Sequence, residues 1–161
     1  MGRGQAALEF LTTYGWAFLV ILIMVGALAY FGILKPSKLL PDRCNFGPEV
    51  NCLDFQISKT VNTIKLRIKN NIGEVVNINS VIPSAESATA LACNPVVQTP
   101  SSGAWGPGDI RDFTFNTCNL DSVGFVVGEK GKVGIKISYY AVKSGSAYAH
   151  DLNGEVFATV V

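Results

Sequence analysis

Few side chains in this sequence stand where they could do chemistry, and the first is a lone carboxylate at the head of a greasy run. Glu9 is followed by 25 consecutive residues without a charge before Lys35. Buried there without a partner it would cost on the order of several kcal/mol, so it must reach water at an interface or meet a cation. The second set is four cysteines, Cys44, Cys52, Cys93 and Cys118, separated by 7, 40 and 24 residues. No C-x2-C pair is among them, so a zinc site is not expected, and two disulfides in an oxidising exterior are. Of the three pairings, Cys44–Cys52 and Cys93–Cys118 close the shortest loops and are favoured, each constraining the unfolded chain by about 3 kcal/mol on an entropic view. The third candidate, His150 beside Asp151, is the only histidine. With no Ser/His/Asp set, no paired carboxylates at a strand end and no glycine-rich phosphate loop, neither a catalytic site nor a cofactor is expected.

The element that must carry Glu9 is a helix. The uncharged run exceeds what the ~30 Å hydrocarbon core of a bilayer requires, and it is apolar on every face. It is expected over residues 5–34, because Pro36 stops a helix and disfavours one at the residue before it. Gly15, Gly26, Ala27, Ala29 and Gly32 are small enough to let neighbouring helices approach closely. Upstream stand only Met1-Gly2-Arg3-Gly4, too short for a cleavable secretory signal with its own apolar core. Charge counting does not orient the span, since Arg3 on one side faces Lys35, Lys38 and Arg43 on the other.

The leader ending Arg3-Gly4, the Gln5 that follows it, Glu9 four positions further on and the apolar helix together resemble the class III signal of archaeal type IV pilins. The resemblance covers about the first 34 residues. It implies removal of residues 1–4 by a prepilin peptidase cutting on the cytoplasmic side between Gly4 and Gln5, leaving Glu9 as the fifth residue of the mature subunit. It further implies extraction from the membrane by an assembly ATPase and a platform membrane protein. The chain would then be a single-pass membrane protein before assembly and part of an extracellular, homopolymeric adhesion filament afterwards. Physically, such a cut frees an ammonium on Gln5 while keeping the helix, and a neighbour's new amine is the nearest partner for Glu9 in a bundle. A buried pair of that kind sets register more reliably than it adds stability.

Residues 35–43, with two prolines, read as a stiff neck, and residues 44–161 as one water-facing domain. Setting Arg3 and Glu9 aside from the 13 basic and 12 acidic residues leaves 12 against 11, so no nucleic-acid footprint is expected. Beyond Cys52 the period becomes two. Leu53, Phe55 and Ile57 alternate with polar residues, as do Ile64, Leu66 and Ile68 with Lys65, Arg67 and Lys69, a basic row that would guard an edge or face water. Further strands are expected at 74–82, closed by Pro83, then 110–116 with Phe113 and Phe115 inward, 123–127, and 132–142 with Val133, Ile135, Ile137 and Tyr139 on one face. A last hairpin, 146–152 and 155–161, is expected to turn at Asn153-Gly154. Residues 84–93 read as loop, and 94–109 as a long unpatterned loop whose Trp105 either makes an exposed contact or folds back on the sheet. The expected fold class is α+β: a long N-terminal hydrophobic helix, then an all-β, Ig-like sandwich head. Three roles remain open for it: filament subunit, membrane-anchored cell-surface binding protein, and minor pilin or archaellin-like subunit.

Overall fold

The apolar run and the period-two segments do form a helix and a two-sheet domain. The computed structural model describes residues 3–31, 40–85, 91–93, 96–99 and 103–161. The chain divides into two units, residues 1–40 and 41–161. The first contains α1, Arg3–Tyr30, which begins two residues before the expected start; its expected last turn at Gly32–Leu34 lies outside the described residues.

The second unit contains β1 (Arg43–Asn45), β2 (Val50–Ser58), β3 (Thr63–Asn70), β4 (Val76–Ala85), β5 (Val96–Thr99), β6 (Ala104–Trp105), β7 (Ile110–Phe115), β8 (Lys130–Ala141) and β9 (His150–Thr159). They build a five-stranded sheet in the order β1-β9-β8-β4-β6 and a four-stranded sheet in the order β2-β3-β7-β5. All the ladders are antiparallel, so each strand buries one face and wets the other. The core takes Ile64, Leu66, Ile68, Phe113 and Phe115 from the smaller sheet and Val133, Ile135, Ile137, Leu152 and Val156 from the larger. Each fully buried side chain of this kind contributes about 1.5–3 kcal/mol.

Four expectations need correction. The register of β2 shifts between Cys52 and Asp54, and the extra residue, Leu53, points outward at 49 % exposure. This bulge switches the parity of the strand: Val50 and Cys52 face inward before it, Phe55 and Ile57 after it. Second, residues 123–127 form no strand; they are turns and irregular chain that carry Phe125 into the core over the backbone of Gly131, where any Cβ would strike the ring. Third, Asn153-Gly154 is not a turn. The β9 strand runs straight through it, with Asn153 opposite Lys136 and Gly154 opposite Ile135. The glycine is needed because the Phe46 ring lies against its backbone and would collide with a Cβ. The β8–β9 connection comes earlier, through a 3₁₀ turn at Ser146–Tyr148. Fourth, the supposed loop 94–109 contains β5 and β6, while Pro83 lies inside β4, where among the described residues β6 pairs with Val76 and Asn77 alone. Among the described residues Pro83 has its ladder partner, Ile135, on the β8 side, as suits a residue without a backbone N–H.

Candidate functional site: the apolar helix and the root of the head

The sequence-level candidates fall in two places. On α1, the segment Leu8–Tyr30 is the one helix among the described residues long and apolar enough to cross a membrane, with a mean hydropathy of 2.0. Its large side chains, Leu8, Phe10, Trp16, Phe18, Ile23 and Met24 among them, are exposed. Polar side chains early in the helix are tolerated because they bond back to it. Thr13 Oγ1 donates to the Glu9 carbonyl at 2.7 Å and Thr12 Oγ1 to the Leu8 carbonyl at 3.0 Å. Glu9 itself is exposed. At about 100° per residue, Gly15 and Gly26 fall within roughly 20° of each other around the axis and Ala29 within roughly 60°, so the three make one narrow stripe. A Cβ at Gly15 or Gly26 would meet nothing within 4 Å. Gly4 and Gln5 lie in the first turns of α1; Gly32 is outside the described residues.

In the head, the four cysteines form two disulfides, Cys44–Cys52 with a Cα separation of 5.9 Å and Cys93–Cys118 with one of 4.0 Å. The first is more than a local loop closure. Cys44 is on β1 of the larger sheet and Cys52 on β2 of the smaller, and only the bulge at Leu53 turns Cys52 inward to meet it. Further along the same side, Ile57 bridges Val160, so both sheets are tied along that margin.

Trp105, the candidate contact residue, is 1 % exposed. Its indole Nε1 donates to the Asp109 carbonyl at 2.9 Å, and its own carbonyl accepts from Asn70 Nδ2 at 2.9 Å. The ring closes the core beneath a loop that looked unpatterned, so no surface role remains for it. His150 opens β9 on the surface, its ring 5.9 Å from that of Tyr139. The Tyr139 hydroxyl donates to Glu49 Oε2 at 3.1 Å; burial, then the neighbouring carboxylate, pushes it up to about 12.

The basic row does not guard an edge, since β3 lies between β2 and β7. It sits on the wet face of the smaller sheet, where Arg67 stands opposite Asp54 on one side and Asp112 on the other. Arg67 Nε and Nη2 donate to the two Asp112 oxygens at 2.7 and 2.9 Å. The pair holds Asp112 below the ordinary carboxylate value and Arg67 above its own. This face makes a shallow concavity with Gln56, Lys65 and Thr114. Arg67 is charge-matched in register, Lys65 stands opposite the uncharged Gln56 and Thr114, and the lining carries two cations, Lys65 and Arg67, against two carboxylates, Asp54 and Asp112. Among the described residues no group of three or more His, Cys, Asp or Glu is placed to hold a metal ion.

Several residues that organise the head carried little sequence signal. Arg111 is 2 % exposed and donates to the carbonyls of Ala104 and Gly103 at 2.6 and 3.3 Å; burial lowers its pKa against the pull of Asp109. Its parity with Phe113 and Phe115 was the one hint. Asp42 and Lys130 form an ion pair that links residues 88 positions apart, which no local pattern encodes.

No model of a known protein family matches the chain, and no curated protein matches it. Among solved structures, it is similar to the periplasmic chaperone SfaE, with a TM-score of 0.40 and 9 % identity over 69 % of this chain and 56 % of that one. It is also similar to the GAE domain of yeast GGA1, with a TM-score of 0.42 and 14 % identity over 73 % and 98 % of the two chains. The GAE domain of GGA2p from Saccharomyces cerevisiae gives a TM-score of 0.38 and 14 % identity over 76 % and 98 %.

Proposed function

We propose that this chain is a structural subunit of an archaeal type IV pilus-like filament, polymerising through its N-terminal helix and displaying the β head for surface attachment. The observation that carries the reading is a helix apolar on every side whose lone carboxylate, Glu9, sits five residues after the Arg3-Gly4 leader end. Transferring such a helix from lipid into a bundle of its copies is close to neutral in hydrophobic terms. Packing along the Gly15, Gly26 and Ala29 stripe and a Gln5 amine to Glu9 pair must therefore select the arrangement. On this reading the chain works with a prepilin peptidase, an assembly ATPase and a platform membrane protein, and the disulfide-braced head lies outside the cell.

The test has two arms. N-terminal sequencing of surface protein is expected to start at Gln5. Glu9→Ala is expected to insert and be cleaved normally yet to yield few or no filaments by electron microscopy. An intact Met1, or normal filaments from the mutant, would sink the reading. A membrane-anchored binding protein is the second reading, favoured by the shallow polar concavity on the smaller sheet. It predicts Gln5 processing or plain anchoring without polymers.

A further inference from the structure

The chain enters the head at Pro41, and the next side chain turns straight back into it. Asp42 Oδ1 pairs with the Lys130 ammonium at the start of β8. The same oxygen accepts from the Thr159 backbone N–H at 3.0 Å and the Thr159 hydroxyl at 3.3 Å, at the end of β9. Arg43 then lies over the Phe157 ring, 5.6 Å from its centroid, and reaches Glu155 at 3.1 Å. Cys44 is bridged to Cys52 on the opposite sheet. Between residues 42 and 44 the chain is thus fastened to β8, β9 and β2.

This concentration is out of proportion to the element it holds. The β1 strand has three residues, and an edge strand so short, held by few ladder hydrogen bonds of modest net strength, frays by itself. Nor is the Asp42–Lys130 pair an ordinary surface pair. The Lys130 side chain is only 11 % exposed, and one carboxylate oxygen gathers charge-assisted donors from two strands. The root of the head is also where any pull on the N-terminal segment is first felt.

We propose that Asp42, Lys130 and Thr159, backed by the Cys44–Cys52 bridge, form a two-stage tension clasp that passes load from the N-terminal segment into both sheets. The polar stage resists first and can re-form. If it opens, peeling frees only residues 41–43, at most about 10 Å of chain at 3.3–3.6 Å per residue, before the covalent stage stops it. Where a pull runs along β1, it shears the β1–β9 ladder and loads its bonds together instead of one after another. The inference goes beyond the filament reading, since a bilayer anchor and a polymer would apply the same pull.

The test uses the full chain in a lipid nanodisc, pulled through a handle on Ser144→Cys, at the far end of β8 from Lys130. All four natural cysteines are bridged, so the added thiol is unique. Asp42→Ala or Lys130→Met is expected to add an early yielding step of no more than about 10 Å at lower force. Combining Asp42→Ala with Cys44→Ser/Cys52→Ser is expected to let that step run on into unfolding of the head. Hydrogen exchange on the unloaded full chain supplies the second measurement: in Asp42→Ala the Thr159 amide is expected to exchange about tenfold faster, with β3 and β7 unchanged. Unaltered yielding force, or exchange that stays the same at Thr159 or rises equally in both sheets, would overturn the clasp.

Discussion

The helix and the head are both rich in apolar side chains, yet they use them in opposite ways. On α1 residues such as Phe18 at 64 % and Ile23 at 64 % stay exposed, whereas in the head Phe113, Ile137 and Val156 are at 0 %. The hydrophobic effect has already acted within the head, where two sheets exclude water from each other's inner faces. On the helix the same driving force remains open to whatever surrounds it, lipid or other helices. A chain divided this way can lose the fold of its β domain without losing its helix.

The sharpest way to break the comparison is Phe113→Ala. It is expected to destabilise the head by about 3–5 kcal/mol while α1 keeps its far-ultraviolet helical signal in detergent; a helix that melted together with the head would show that the two units are not independent. Next come the disulfides. Removing Cys93–Cys118 should cost about 3.5 kcal/mol and Cys44–Cys52 about 2.5 on loop length alone. Denaturant midpoints of the two double-serine variants test this, and a larger loss for the shorter loop would mark the inter-sheet tie as the more important one.

A smaller effect is expected of Gly154→Ala. The added methyl meets the Phe46 ring and should cost about 1–3 kcal/mol, read as a lowered midpoint. A neutral outcome would mean that Phe46 can move aside. The smallest effect is with acid. Asp42, Asp112 and Asp151 are each held below the ordinary value of 3.8, chiefly by the side chains of Lys130, Arg67 and Lys136 respectively. The folded state thus binds their protons less readily than the unfolded chain. The stability they contribute is fully present above about pH 5 and is lost as pH falls through the folded values. Denaturation midpoints should hold steady between pH 7 and 5 and decline below 4, with a shallower decline in Asp42→Asn.

Much of this was legible in the chain because it is local. A run without charges declares a helix that no water-facing packing can hide, and the alternation in β3 and β8 predicts which of Ile64, Leu66, Ile68, Val133, Ile135 and Ile137 are buried, since both strands are regular and continuous. Loop length selected the two disulfide pairings. What only the tertiary structure decided depends on partners far away in sequence. Gly154 reads as a turn glycine until Phe46 is found lying on it, and Leu53 reads as core until the bulge turns it out and Cys52 in. Trp105 reads as a loop residue until β6 is seen to pair it with Val76 and Asn70 and Asp109 to bond it in place. The Asp42 root, with donors from two strands, has no local sign at all. Periodicity reports the face of a strand, whereas a ring over a backbone or a carboxylate between two strands reports where the chain has already been brought.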